Sequence, residues 1–212
     1  MYETNVGAGL PIIKTLNDLV ISGDEIIKIE AILSGTISYI FNNYVGERTF
    51  EEVVREAQEL GYTEPDPRDD LNGLDFSRKM LILARENGLP LELSDVNISS
   101  FLPEACLKAN SVEDFYKELK NSEPHFAAYK EKAAKENKKI RLIGIMENNE
   151  IKVQVMLVDN THPFFNLSGS DNIISFTTAR YQNTPLVVKG PGAGASVTAA
   201  GVFADLVRVT TL

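Results

Sequence analysis

The sequence holds one cysteine, Cys106, two histidines and no tryptophan. One thiol closes no internal disulfide, and neither histidine has a partner at zinc-site spacing, so disulfide scaffolds and structural zinc domains are excluded. A lone cysteine suits a reducing compartment, and the expected location is cytoplasmic. Positive charge is also scarce. Against 30 Asp and Glu stand 21 Lys and Arg, a formal net charge of -9. No basic stripe offsets it, which argues against nucleic acid as a partner. No apolar run reaches the roughly 18 residues that a membrane-spanning helix needs. The opening Met1-Tyr2-Glu3-Thr4 has neither the cationic nor the apolar stretch of a signal segment. A membrane is therefore not an expected partner; a small molecule or another protein is.

What is present is an ordinary globular composition, 43% apolar and 24% charged over 212 residues, enough for one sizeable domain. After the run NVGAGLP at 5–11, Ile12, Ile13, Leu16, Leu19 and Val20 recur at helical spacing up to Gly23. Residues 26–33 are rich in β-branched side chains and read as a strand. Residues 36–44 and 50–60 read as helices, the second opened by Thr49 with Glu52 three positions on, a capping-box spacing. A further helix is expected from Asn72 or Gly73 to Asn87-Gly88, with Leu74, Ser77, Leu81 and Ala84 on one stripe. Two more follow at 111–119 and 124–136. Beyond Lys138 the pattern turns to strands at 140–146, 151–157, 173–178 and 186–189, with Asn148-Asn149 as a hairpin turn. The last segment, 190–208, is a glycine loop running into a helix. The expected fold class is α+β, a mixed or mainly antiparallel sheet covered by helices on one face.

Between two of these helical patterns lies GYTEPDPRDDLNGLDFSRKM, residues 61–80. It crowds Glu64, Asp66, Asp69, Asp70 and Asp75 with two prolines, and such repulsion must be offset by cations, hydrogen bonds or a ligand. A solvated acidic loop is the plain interpretation. Asp75 and Lys79 stand four apart and share a helix face, which alone means no more than an exposed ion pair of about 0.3–0.5 kcal/mol. Grouped carboxylates and an ammonium also suit an amino-acid ligand, whose zwitterion presents both charges.

The order of residues favours the second interpretation. Read as Ala57-x3-Gly61-Tyr-Thr-x2-Asp66-Pro67-x2-Asp70-Leu-x-Gly73-x-Asp75-x3-Lys79, the segment resembles the signature of homoserine dehydrogenases at every fixed position. The resemblance runs from about Tyr2 to Arg208, and the wording TEPDPRDDLNG is closest to the bifunctional aspartokinase–homoserine dehydrogenases. It implies a substrate-binding domain like the C-terminal domain of glyceraldehyde-3-phosphate dehydrogenase. It also implies a parent enzyme that interconverts L-homoserine and L-aspartate 4-semialdehyde with NADP or NAD, in threonine and methionine biosynthesis. On matching positions, Lys79 and Asp75 become the catalytic pair, and alcohol oxidation does need a proton acceptor at the oxygen, a role open to a lysine of lowered pKa. Glu64, Asp70, Thr36 and Asp69 become substrate-binding residues. One of Asp69 and Asp70 is free on this view to cap the following helix, and Thr36 to cap its own. Gly192 and Gly194 match the segment that approaches the nicotinamide. Glu3, Val6, Ala8 and Leu10 match a run whose backbone carbonyls bind Na⁺ or K⁺.

Neither Gly7-x-Gly9 nor Gly192-x-Gly194 is a dinucleotide fingerprint, since each lacks the third glycine and no strand-turn-helix unit with a following acid is expected there. The family's nucleotide-binding domain and an upstream catalytic lysine are missing from the sequence. The whole of 1–212 is therefore expected to be the substrate-binding and dimerisation domain, inactive alone, with 190–212 returning to the nucleotide domain in the parent homodimer. The alternative from another class is a non-catalytic regulatory or oligomerisation module, which would have no need to keep Glu64, Asp75 and Lys79 together. A semialdehyde dehydrogenase with a cysteine nucleophile is the third, and Cys106 in LPEACLK lacks a histidine nearby.

Overall fold

Strand alternation decides which face each residue of the sheet presents. In the computed structural model, which describes residues 1–210, Ile29 and Ala31 of β1 (Ile26–Ile32), Ile140, Leu142 and Met146 of β3 (Lys139–Glu147) and Ile174 and Phe176 of β5 (Asp171–Thr178) enter the main core. Ile32, Ile143 and Ile173, on the opposite parity, meet Phe164 and Leu167 in a smaller core on the other face.

The remaining strands are β2 (Val96–Ile98), β4 (Glu150–Val158) and β6 (Leu186–Pro191), and the sheet order is β2-β4-β3-β1-β5-β6. Only β2 with β4 is parallel; the other pairings are antiparallel. The expected mixed, mainly antiparallel α+β sheet is what the chain forms. The β3–β4 hairpin turns at Asn148 and Asn149, with φ of 53° and 62°, the left-handed pair that a two-residue turn demands.

Helices α1 (Ile12–Ile21), α2 (Gly35–Asn43), α3 (Phe50–Glu59), α5 (Leu74–Glu86), α7 (Val112–Asn121) and α8 (Glu123–Lys135) supply the helical side of the main core. Two short turns of helix, α4 (Arg68–Leu71) and α6 (Glu104–Leu107), lie in connections, and α9 (Ala195–Thr210) closes the described chain. The capping box before α3 forms as the spacing predicts: Thr49 Oγ1 accepts from Glu52 N–H, and a Glu52 carboxylate oxygen accepts from Thr49 N–H. On the α5 stripe Ser77, Leu81 and Ala84 are buried, whereas Leu74 is only half-buried. Elements too short to show a period, α4, α6 and β2, are not visible in the sequence pattern.

Candidate active site

The site is built on the turn from β1 into α2. β1 brings the chain to Leu33, and Ser34 caps α2 by accepting the Ile37 N–H at 3.2 Å. The cap is therefore Ser34 and not Thr36, which sits two residues too late for that role. Freed from capping, Thr36 Oγ1 is 2.6 Å from the Tyr62 carbonyl and 3.3 Å from Asp70 Oδ1. The other Asp70 oxygen accepts the Glu64 N–H at 2.8 Å. Burial, seconded by the charges of Glu64 and Asp69, holds the Asp70 carboxyl above the ordinary aspartate range against these hydrogen bonds. On the other flank of the turn, Lys79 donates to the Leu33 carbonyl at 3.1 Å and pairs with Asp75 at 2.7 Å. Two polar groups, Thr36 with Asp70 and Lys79 with Asp75, thus hang on one turn, at Thr36 and Leu33.

The acidic loop reaches this turn through left-handed glycines and internal ion pairing. Gly61, φ 75°, ends α3, and Gly73, φ 77°, precedes α5; both are conformations that side chains resist. Tyr62 stacks on Tyr39 at 4.5 Å between ring centroids. Arg68 Nε meets Asp66 at 2.9 and 3.0 Å, and this guanidinium holds the Asp66 carboxyl below its usual range. Neither Asp69 nor Asp70 caps α5. The N-cap of α5 is Gly73, and Asn72 Oδ1, one residue earlier, takes the Leu74 N–H at 2.8 Å, because α4 turns the chain between the aspartates and α5. The carboxylates of Glu64, Asp69 and Asp75 are exposed. Sequence reasoning did not find Ser34, Tyr62 or the Leu33 carbonyl, since a backbone acceptor leaves no mark in side-chain spacing.

The segment NVGAGLP packs against α9 and leads into α1. The Glu3 carboxylate is buried and spent on α1, accepting the N–H groups of Ile13 at 2.8 Å and Lys14 at 2.9 Å, two of the four that a helix start leaves open. Its backbone carbonyl takes the Val6 N–H at 3.4 Å, and that of Leu10 takes Ile12 N–H at 2.8 Å. The carbonyls of Val6 and Ala8 have no hydrogen-bond donor among the described residues. Ala8, at φ 51°, turns the backbone out of its run. Free carbonyls and second lone pairs suit a monovalent cation bound by oxygen, while the Glu3 side chain is unavailable to it.

Gly9 and Gly201 let α9 dock on this segment: a Cβ on Gly9 would stand 2.2 Å from the Val197 carbonyl oxygen, and one on Gly201 would stand 2.7 Å from Thr4 Cγ2. Asp205 of α9 accepts the Glu3 N–H at 2.9 Å. As the sequence pattern predicts, the second glycine cluster links a strand to a helix: Gly192 and Gly194 lie between β6 and α9. β6 is an antiparallel edge strand, so the unit is not a parallel dinucleotide-binding one. The first turn of α9 offers backbone N–H groups, with Thr198 N–H already bonded to the Gly194 carbonyl.

The chain that carries the Lys79–Asp75 pair and half-buried Asp70 resembles known proteins over its length. The sequence profile of the homoserine dehydrogenase family matches residues 11–207. The chain belongs to the homoserine dehydrogenase family. It is 52% identical over 99% of its length to the bifunctional aspartokinase/homoserine dehydrogenase 1, chloroplastic, of Zea mays, and covers 23% of that protein. It is 50% identical to the homoserine dehydrogenase of Schizosaccharomyces pombe and covers 58% of it. Among solved structures, a Candida auris protein of unknown function superposes with a TM-score of 0.94 at 43% identity, with 99% of this chain and 60% of that one covered. A putative homoserine dehydrogenase from Archaeoglobus fulgidus gives 0.77 at 30% identity, covering 99% of this chain and 58% of that one. A hyperthermophilic archaeal homoserine dehydrogenase mutant, solved in complex with NADPH, gives 0.73 at 25% identity over 99% of this chain and 55% of that one. The chain therefore spans about a quarter of the bifunctional relative and under two thirds of the single-function one. No helix among its described residues is long and apolar enough to cross a membrane.

Proposed function

We propose that the enzyme carrying this chain interconverts L-homoserine and L-aspartate 4-semialdehyde with NADP or NAD, a step toward threonine and methionine. Residues 1–212 supply its substrate-binding site and a dimerisation surface. The observation that carries this reading is the Lys79–Asp75 pair anchored to the turn that also holds Thr36 and Asp70. The bound nicotinamide supplies a hydride acceptor or donor. In its neutral amine form Lys79 takes the proton of the substrate hydroxyl at Nζ in the oxidation direction, becoming the ammonium, and returns that proton in reduction. Asp75 orients that ammonium. Glu64, Asp70 and Asp69 meet the substrate's amino group with negative charge, and Thr36 fixes Asp70 for the purpose.

Gly192 and Gly194 admit the nicotinamide end of the cofactor, and the NADPH complex of the archaeal relative supports NADP as that cofactor. The carbonyls of Glu3, Val6, Ala8 and Leu10 hold Na⁺ or K⁺. Val202, Phe203, Leu206 and Val209 expose an apolar stripe on α9, which a nucleotide-binding domain covers in the parent; residues 211 and 212 of that segment lie outside the described residues. The exposed edge strands β2 and β6 support a homodimer. The wording of the acidic loop supports a parent of the bifunctional aspartokinase type, and the single buried thiol Cys106 suits a reducing compartment such as the cytoplasm.

The test is NADPH-dependent reduction of aspartate semialdehyde by the full-length enzyme, with Asp75→Asn and Lys79→Met beside it. Homoserine formation that either substitution abolishes supports the assignment, and 212 residues alone are expected to show none. A folded full-length protein without activity, or both variants fully active, returns the chain to a regulatory or oligomerisation module.

A further inference from the structure

Asn172, the second residue of β5, is 1% exposed, and its Oδ1 has no hydrogen-bond partner among the described residues. An amide oxygen buried without a donor is destabilising, so an orphan at this depth points to a donor that arrives with a ligand. Its place in the sheet says which ligand. Across β5 and β6 it pairs with Gly190, and its neighbour Ile173 pairs with Ile32 of β1. That register ends at Ile32 and Ile173, so Asn172 follows the end of the β1–β5 ladder just as Leu33, whose carbonyl holds Lys79, does on the other strand. On the β6 side, a Cβ on Gly192 would stand between 2.0 and 2.4 Å from Cγ, Nδ2 and Oδ1 of Asn172, so only glycine leaves the amide its room. On the same face, a Cβ on Gly190 would meet Leu10 Cδ2 at 3.0 Å. Asn172 thus stands between the lysine end of the site and the glycine turn that leads into the N-terminus of α9.

We propose that Asn172 is a cofactor-binding residue whose side-chain amide receives the primary carboxamide of the nicotinamide ring, Oδ1 accepting one of its N–H groups. The inference rests on the nicotinamide-dependent reading above. A primary amide carries a donor and an acceptor in one plane, and another primary amide is its complement. A homoserine molecule has no such group; its ammonium and carboxylate call for charged partners, and Asn172 is neutral. The turn pressed on the amide, through Ala193 and Gly194, is itself exposed, and it must move aside for the ring to reach the amide. Held there, the carboxamide fixes the rotation of the ring relative to the hydroxyl that Lys79 serves, which is an orientational contribution to hydride transfer.

The test uses the full-length enzyme and two probes, NADP⁺ and its 3-acetylpyridine analogue, which keeps the carbonyl and lacks the N–H donors. Binding is measured by calorimetry for the wild type and for Asn172→Leu. The expected result is a wild-type preference for NADP⁺ of about tenfold, and its loss in Asn172→Leu through weaker NADP⁺ binding, with the analogue weakened less. A crystal structure of the wild type with NADP⁺ gives a readout independent of any variant: the carboxamide nitrogen should lie about 3 Å from Oδ1. A carboxamide bound elsewhere overturns the proposal, as does equal weakening of both probes. A changed Na⁺ or K⁺ requirement with the preference intact overturns it in favour of a cation ligand. A folded wild type that binds neither probe removes the underlying reading itself, which is a different failure from binding that ignores Asn172.

Discussion

The carbonyl of Leu33 accepts a hydrogen bond from Lys79 Nζ at 3.1 Å, tying the proposed proton carrier to the residue that follows β1 by a backbone atom that no side-chain substitution removes. Position, as well as charge, is then required of residue 79. Lys79→Arg keeps the charge but spreads it over a rigid planar fork. It is expected to lower kcat by about 10²- to 10⁴-fold, as far as Lys79→Met does. Steady-state homoserine oxidation and a thermal melt check this together. An arginine variant with more than about a tenth of wild-type activity would show that charge alone suffices.

The docking of α9 gives a second prediction. At Gly9 the obstacle to a side chain is the Val197 carbonyl, a backbone group that cannot swing away. Gly9→Ala is expected to destabilise the fold by about 1–3 kcal/mol and to raise hydrogen exchange across residues 195–210 while sparing β3 and β4. Unchanged protection in α9 would mean that the helix is not held by this contact.

How much of this was legible in the sequence depends on the range of the interaction. The α3 capping box was readable because Thr49 and Glu52 are three residues apart and act on each other. The Asn148-Asn149 turn was readable for the same reason. The Lys79–Asp75 pair follows from helical periodicity, whereas its anchor on Leu33 joins residues 46 apart and has no local trace. Ser34 and Thr36 are both good capping residues, and only the geometry decides that Ser34 caps while Thr36 turns to Tyr62 and Asp70. Glu3 was expected to matter through its carbonyl. Its carboxylate proves to cap α1 from ten residues away, beyond any capping motif.

Asp70 offers a prediction with a definite sign. Burial raises its carboxyl above the ordinary aspartate range, so the folded state keeps the proton to higher pH than the unfolded chain, whose value is about 3.9. Its contribution to stability is therefore fully present below the unfolded value and falls as pH rises through the folded one. Asp66 runs the other way: the Arg68 guanidinium lowers it, and its contribution is lost as pH falls. Asp70→Asn removes the first effect and keeps the second. Urea denaturation across the acid range should show the variant gaining on the wild type as pH rises through that window and levelling off above it. An offset independent of pH would exclude Asp70 as the source.

Arg141 is the largest side chain among those fully buried, and no carboxylate pairs with it among the described residues. Burial pulls its pKa down to about 10. Its hydrogen bonds go to the carbonyls of Phe164, Phe165, Leu167 and Ile140 and to Asn42 Oδ1, so the guanidinium gathers the 159–170 connection onto the second face of the sheet. A fixed fork spans several carbonyls at once, which a lysine ammonium cannot. Arg141→Met replaces a buried charge by an apolar chain, a change that is often neutral when acceptors are removed with it. Here the acceptors are backbone and remain. The variant is expected to lose about 3–5 kcal/mol, Arg141→Lys to recover little of it, and hydrogen exchange to rise in 159–170 before the rest of the sheet. If Arg141→Met costs under about 1 kcal/mol, water satisfies those carbonyls and the guanidinium does not hold the connection.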